Sequence, residues 1–443
     1  MKITFILPAI GKKPGEKYIG TWKMEPLAIA QLKALTPPRF ETGFFDDRIE
    51  LIDYGARTDA VAIALETYTA LRGYDIAARF RARGVKVVFG GYHATLCPEE
   101  AMERGDSVVT GNAEAVWAQA LADLEAGALK PRYDGKAGYC PVHPDRSVYG
   151  GKKYLPVTLV ETGRGCNHGC EFCAVSAYYC RRYFPRPHED IVEELRQSKH
   201  KYHFLVDDNL AADREHAMGL FEKMAPLKIK WAGQGTLAMA KDRQMLKAMK
   251  ASGCELILVG FESMDERNLR QMGKSWELSL GGRDALVGNI HAAGIGIYAT
   301  FVFGYDGDDA RTVAEALSFA KRHRFFTAAF NHLLPFPGTA AYGRLEEEGR
   351  LLGGKWWLDR GYRYGDLPFA PARVGAAELR ALCRDARRSF AGPPAVLRRG
   401  LASMRRNSPL VWLLFWAMNL RLGEEIGQKM DVPLGGNLDE APK

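Results

Sequence analysis

Three cysteines, Cys166, Cys170 and Cys173, fall in one short stretch that reads Arg164-Gly165-Cys166-Asn167-His168-Gly169-Cys170-Glu171-Phe172-Cys173. Thiols this close within a tight loop do not serve as core packing, because each would have to be buried beside the others. They suit a metal centre: soft thiolates favour iron–sulfur clusters and zinc. Three donors with no evident fourth leave one coordination position open, and an open position is where metal chemistry occurs. A closed structural zinc site is the alternative, with His168, Cys180 or His188 as its fourth ligand. The chain would then be a zinc-stapled binding protein without turnover.

The loop follows an apolar, strand-like run at 155–160. From there to about 342 strand-like and helical segments alternate. Strands are expected at 157–160, 203–206, 229–232, 256–259, 295–303 and 328–334. Helices are expected between them at 191–198, 216–224, 244–251, 285–293 and 313–322. Six such units predict a partial TIM-type barrel with its active residues at the carboxyl ends of the strands. Asp207, Asp208 and Asn209 follow the second strand. The two acids repel each other unless solvated or bonded to cations, so they serve either a ligand or the N-cap of the next helix. Gln234 ends the third strand with an uncharged donor and acceptor. Glu262 ends the fourth, able to accept from hydroxyls or to form an ion pair. Val302 lies in the fifth. His332, near the end of the sixth, is either a proton donor near substrate or a packed histidine.

Residues 1–130 also alternate. Strands are expected at Lys2–Leu7, 41–45, 60–65, 85–89 and 107–109, and helices at 26–35, at 72–83 and from about Ala113. Apolar strands separated by helices imply a parallel sheet covered on both faces. Such sheets bind ligands beyond the carboxyl ends of their strands. Those ends carry Thr67, Tyr68 and Thr69, then Gly90, Gly91 and His93, then Gly111 and Glu114. Glycine permits close backbone approach, and hydroxyls and helix N-termini offer donors to an anion. There is no G-x-G-x-x-G and no P-loop, so neither a dinucleotide nor ATP is indicated. Residues 131–153 lack periodicity and read as a linker.

The spacing Cys-x3-Cys-x2-Cys resembles the cluster loop of the radical S-adenosylmethionine (SAM) superfamily. The resemblance implies that Cys166, Cys170 and Cys173 hold three irons of a [4Fe-4S] cluster. SAM would chelate the fourth iron and be split into methionine and a 5′-deoxyadenosyl radical. It further implies SAM contacts at Phe172, Asp208, Gln234, Glu262 and Val302. Residues 1–130, best in Gly90-Gly91-Tyr92-His93-Ala94-Thr95, resemble the cobalamin-binding domain that precedes the barrel in one large class of these enzymes. Thr67, Tyr68, Thr69, Gly90, Gly91, His93, Gly111 and Glu114 would then contact cobalamin. An Asp-x-His-x-x-Gly motif is absent, so no histidine lower ligand to cobalt is expected from it, although His93 is a candidate. Pro335-Phe336-Pro337-Gly338-Thr339 resembles a turn after the last barrel strand in the same class. The implied activity is methylation of an unactivated carbon of a small-molecule or lipid-like substrate, with a flavodoxin or ferredoxin as reductant. Oxidation, cyclisation or rearrangement without methyl transfer is the rival within enzymes.

The expected fold is therefore α/β: a doubly wound Rossmann-like domain (1–130), a linker (131–153), a partial (β/α)6 barrel (154–342) and a mainly helical C-terminal cap (343–443). Trp356, Trp357, Tyr362 and Tyr364 either line a substrate pocket or pack this cap on the barrel. In the 443-residue chain the net charge of +8 is uneven, with nine arginines between 373 and 406 against Glu378 and Asp385. No RNA-binding signature accompanies them, so nucleic acid is not expected. The run 409–418 is apolar all round but far short of the ~20 residues that span a bilayer. Beside the arginines it suits a membrane interface, and 373–422 is the segment expected to make peripheral contact. The N-terminal apolar run is too short for a secretory signal. Eight cysteines, three of them clustered, do not suggest a disulfide framework. A reducing cytoplasm follows, with the inner membrane face as the place of any contact.

Overall fold

The computed structural model describes residues 1–135, 140–404 and 407–440; Gly138 of the expected linker and Arg405 and Arg406 of the arginine-rich stretch lie outside them. The chain forms two compact units. One comprises residues 1–155, 353–366 and 429–443, the other 156–352 and 367–428. The C-terminal hundred residues are thus shared between the units and do not form the single cap that the sequence suggested.

In the first unit six strands form one sheet: β1 (Lys2–Leu7), β2 (Glu41–Asp46), β3 (Ala60–Ala64), β4 (Lys86–Gly90), β5 (Ser107–Gly111) and β6 (Arg132–Gly135). Their order is β2-β1-β3-β4-β5-β6, parallel throughout. The near-continuous apolar character of β3 and β4 follows from burial on both faces. On one face Ile3, Phe5, Ala62 and Val88 meet Ile29 and Leu121 from helices Leu27–Leu35 and Trp117–Glu125. Helix Ala70–Arg81 buries Ile76, Ala77 and Phe80. β6 lies in the segment read as linker. It is four residues long and polar, and it joins the sheet by backbone pairing with β5.

The segments 353–366 and 429–443 complete this unit. Gly435 N–H donates to Ile10 O at 2.7 Å, and Tyr364 N–H donates to Val432 O at 2.8 Å. Arg72 grips Asp47 and Asp439, each at 2.9 Å.

The second unit holds β7 (Thr158–Val160), a two-stranded hairpin of β8 (Gly163–Gly165) and β9 (Tyr183–Pro185), then β10 (Tyr202–Leu205), β11 (Lys230–Gly235), β12 (Cys254–Glu262), β13 (Gly296–Phe303) and β14 (Thr327–His332). Its main sheet runs β14-β13-β12-β11-β10-β7, all parallel, as expected for a partial barrel. Alternation along the strands separates two faces. Ile257, Val259, Phe261 and Phe301 are buried with Leu220, Leu246, Ile290 and Phe319 of the covering helices. The helices begin one to three residues before their apolar pattern because aspartates cap them: Asp213 accepts from His216 N–H, Asp242 from Met245 N–H and Asp309 from Thr312 N–H. Helix Ala376–Ala391 protects the edge strand β14, with Arg387 Nε donating to Phe330 O at 2.8 Å.

Candidate active site: a three-thiol loop at the carboxyl ends of the barrel strands

The β8–β9 ladder closes the stem of the cysteine loop. Gly165 has φ +83°, and a Cβ there would lie 2.1 Å from Arg182 O, so the stem requires glycine. Aspartates at the end of the neighbouring strand fix the entry to the loop. Asp207 accepts from Thr162 N–H at 2.7 Å and from its hydroxyl at 2.6 Å, and Asp208 accepts from Gly165 N–H at 2.9 Å. Neither aspartate caps the following helix, whose N-cap is Asp213. Further along, Glu171 N–H donates to Met272 O at 3.0 Å, Asn167 Nδ2 donates to Ala212 O at 3.0 Å, and His168 stacks on Trp276 at 4.2 Å between centroids.

The three sulfurs share one electrostatic environment. Burial pushes all three thiols up, Cys170 to about 12; Cys170 and Cys173 also feel the negative charge of neighbouring thiols, and Cys166 that of Asp208. Donors point at them: His168 N–H and Asn209 Nδ2 at Cys166, the latter at 3.8 Å, and Val175 and Ser176 N–H at Cys173. Thiolates supplied with N–H donors but buried against their own charge need a positive centre to offset it, which a cluster provides. The residues therefore fit a [4Fe-4S] cluster.

They do not fit a single zinc ion. The proposed fourth ligands are engaged or turned away. His168 lies against Trp276, Cys180 is exposed, and His188 Nε2 meets His216 Nδ1 at 3.1 Å. The zinc-stapled reading fails on this donor geometry.

At the strand ends Gln234, Gly260, Val302 and Asn331 occupy the partly open positions of alternating strands, on the face opposite the covering helices. Glu262 is re-aimed by a register shift between β12 and β13 and has φ +57°. Its carboxylate folds back over Gly260, where a Cβ would lie 2.0 Å from Oε1. Burial raises its pKa, and Lys274 opposes the rise. Lys274 Nζ is 3.4 Å from Glu262 Oε1, 2.6 Å from Glu277 Oε1 and donates to Gly260 O at 2.7 Å. The ion pair and the strand-end position thus coexist. Phe172 is half-buried and packs on the barrel core.

The sequence reading passed over Lys274 and Glu277. A single lysine after a short helix carries no local signal, and only burial distinguishes it. His332 is half-buried, its Nδ1 3.0 Å from Leu333 O. The Pro-x-Pro-Gly-Thr turn starts a helix: Thr339 accepts from Tyr342 N–H at 3.2 Å and caps Ala340–Glu347.

In the first unit the three candidate cobalamin loops are bonded to one another. His93 N–H donates to Leu65 O at 3.0 Å, and Gly111 N–H to Thr95 Oγ1 at 2.9 Å. Gly91 has φ +100°, and a Cβ there would lie 2.7 Å from Leu65 O. Gly111 also has positive φ, at +68°, while Gly90 and Glu114 remain partly exposed at the strand ends. Thr67 and Thr69 are buried, and Thr69 Oγ1 is spent on Glu66 N–H at 3.1 Å.

His93 hydrogen-bonds locally and is not placed as a ligand. It is fully buried, with Nδ1 3.4 Å from Thr67 Oγ1 and Nε2 3.1 Å from Glu100 Oε1, so neither ring nitrogen is turned toward a metal. Glu100 is the hub of this cluster. It also accepts from Tyr74 OH at 3.0 Å and Trp357 Nε1 at 3.1 Å, and it pairs with Lys355 at 3.0 Å. Tyr68 packs edge-on against Trp356 at 5.3 Å and meets Tyr364 at 5.2 Å. The Trp356–Tyr364 aromatics therefore pack within this unit.

Residues 160–320 match the model of the radical SAM superfamily. Over 405 residues the chain is 28% identical to bacteriochlorophyllide d C-12(1)-methyltransferase of Chlorobaculum tepidum, covering 88% of this chain and 86% of that one. It is 25% identical over 352 residues to hopanoid C-2 methylase of Rhodopseudomonas palustris, covering 74% and 66%. Among solved structures it shares its fold with the radical SAM methyltransferase TsrM of Kitasatospora setae, solved with cobalamin and a [4Fe-4S] cluster bound. The TM-score is 0.67 at 14% identity, over 96% of this chain and 99% of that one. Thiol loop, barrel sheet and preceding parallel-sheet domain agree with these likenesses: residues 160–320 match the radical SAM superfamily, and the chain shares its fold with a radical SAM methyltransferase solved with cobalamin bound.

Proposed function

We propose that the protein is a cobalamin-dependent radical SAM enzyme that methylates an unactivated carbon of a small-molecule substrate. The observation that carries this reading is the trio Cys166, Cys170 and Cys173, half-buried in one loop and supplied with N–H donors at the carboxyl end of a parallel barrel sheet. The named relatives, methyltransferases of bacteriochlorophyllide d and hopanoid, support methyl transfer as the outcome.

In this reading the three thiolates hold the cluster, and Gln234, Glu262 and Val302 face SAM from the strand ends, with Phe172 beside the last cysteine. Asp208 holds the loop stem through Gly165 N–H. Thr67, Tyr68, Thr69, Gly90, Gly91, Gly111 and Glu114 line the corrinoid side of the first unit, and His93 positions Thr67 from beneath. When bound, cluster and SAM supply a 5′-deoxyadenosyl radical, and the corrinoid supplies the methyl group. The chain's part is to orient these groups and exclude water. Glu262, held by Lys274, presents an acceptor suited to hydroxyls, and the apolar strand faces shield the reacting centre. A flavodoxin or ferredoxin supplies electrons in the cytoplasm, and 373–422 meets the membrane surface peripherally.

Anaerobic purification with cobalamin supplied, followed by iron and corrinoid analysis, tests the cofactors. Methyl-labelled SAM and product mass test the reaction. A product that gains the labelled methyl supports the proposal. A product without it moves the enzyme to oxidation or rearrangement. Persistent 5′-deoxyadenosine formation by Cys170→Ala would overturn the assignment of the thiol trio.

A further inference from the structure

Helices Pro393–Met404 and Pro409–Asn419 each expose a row of apolar side chains. Leu397, Leu401 and Met404, spaced one helical turn apart, are each more than half exposed. On the second helix Leu413, Leu414 and Met418 are exposed as well, Leu413 at 56%. The helix Pro409–Asn419 holds no charged residue. An exposed apolar patch of this kind on two adjoining helices marks a contact surface.

The charge around it selects the partner. Among the described residues of 386–423 five are arginines and none is aspartate or glutamate; Arg388, Arg398 and Arg421 are exposed, while Arg399 is buried. Arg398 and Arg421 are exposed beside the apolar face, and Glu424 and Glu425 follow just beyond. A second copy of the chain would bring two such cationic segments together, which like-charge repulsion opposes. Nucleic acid would not cover leucines. An anionic lipid surface satisfies both the leucines and the arginines.

The inner sides of the helices fix which end of the barrel faces that surface. Arg399 is buried and donates to Phe326 O at 2.9 Å, Phe390 O at 3.0 Å and Asn419 Oδ1 at 2.7 Å. Phe326 immediately precedes β14 and packs on Phe415 at 5.1 Å. Asn407 Nδ2 donates to Glu255 O, near the start of β12, at 3.1 Å. Trp416 lies over Gly400, where a Cβ would come within 2.4 Å of its ring, and Trp412 Nε1 donates to Gly400 O at 2.9 Å. The two anchors on the sheet, Phe326 O and Glu255 O, lie at the amino ends of the strands, opposite the thiol loop.

We propose that these two helices dock the protein on an anionic membrane surface through the base of its barrel, with the thiol loop turned away from the bilayer. The inference rests on the membrane-contact part of the function proposed above and is independent of its chemistry. β12 has nine residues, so the reactive end stands roughly 30 Å from the docking plane at ~3.3 Å per residue. Substrate then reaches the site from the aqueous side, not straight out of the lipid.

The test is co-sedimentation of the full chain with phosphatidylcholine vesicles, with and without phosphatidylglycerol. Binding to the anionic vesicles, weakened by salt, is expected. The double variant Leu413→Glu, Leu414→Glu should bind at least about tenfold more weakly. Arg398→Gln with Arg421→Gln should remove most of the salt dependence. Unchanged circular dichroism and melting show that each variant folds. Failure of the folded wild-type chain to sediment at low salt would overturn the proposal, as would dimerisation without vesicles that the leucine variant abolishes. Hydrogen exchange tests the orientation: vesicles should protect 397–420 and leave 207–209 and 260–263 unchanged, and the reverse pattern would sink it. Vesicle binding is scored without SAM cleavage, so its failure and a failure of the methyltransferase reading are separable.

Discussion

Lys274 and Glu262 form a buried ion pair at the end of β12, with Nζ 3.4 Å from Oε1. The same ammonium holds Glu277 and the carbonyl of Gly260. Lys274→Met would leave two buried carboxylates without their cation. Breaking one side of a buried pair costs ~3–5 kcal/mol. Thermal denaturation should show a loss of that order, and the double variant with Glu262→Gln should recover part of it. Strict additivity of the two substitutions would contradict the coupling.

Gly165→Ala tests the stem of the thiol loop. The new Cβ would meet Arg182 O at 2.1 Å, at a backbone conformation unfavourable to alanine. The β8–β9 ladder should open while the main sheet persists. Iron bound per chain after anaerobic reconstitution should fall severalfold, with little change in circular dichroism. Full iron loading would show that the cluster loop does not depend on its stem.

Glu100 makes the first unit acid-sensitive. Burial, the largest influence, favours its neutral form, but hydrogen bonds from His93, Lys355 and Trp357 outweigh it and hold the carboxyl down to about 2. In the unfolded chain a glutamate titrates near ~4.3. Between these values the unfolded state binds more protons, so stability is fully present above the unfolded pKa and is lost as pH falls toward about 2. Glu100→Gln should cost about 2–3 kcal/mol at neutral pH in urea unfolding. The gap between variant and wild type should narrow as the medium is acidified through that window. A constant gap would show that the charge of Glu100 contributes nothing.

Asp207 carries the opposite pH dependence. Burial pushes its carboxyl up to about 8, against the pull of Thr162 and with the added repulsion of Glu161 and Asp208. The native state therefore binds more protons between the unfolded pKa of ~3.9 and about 8, and stability falls as pH rises through that range. Asp207→Asn keeps an acceptor for Thr162 N–H and removes the titration. Melting temperatures of the metal-free chain should favour the variant progressively as pH rises from ~5 to ~9. A parallel pair of curves would contradict the assignment.

The parts of the molecule legible in the sequence were those written locally. The thiol trio is a spacing, and β12 and β13 are long apolar runs, so their strand ends could be located before any coordinates. β6 was not legible, because Arg132–Gly135 is polar and becomes a strand only through pairing with β5. Lys274 was missed because its role comes from burial between Glu262 and Glu277. Trp356 and Trp357 were legible as buried aromatics but not as partners of Tyr68 and Glu100, the latter 257 positions from Trp357. No periodicity encodes which sheet a returning segment will join.

The first unit is sewn shut by residues 353–366 and 429–443. Emerging from the ribosome, its sheet must wait for the whole barrel to be translated before Trp357 and Lys355 can reach Glu100, or Asp439 can reach Arg72. A gene fragment stopping at residue 155 would release a sheet still missing its closing seams. Completion of this unit, on this topology, is timed to the end of synthesis, when the last segment locks into place.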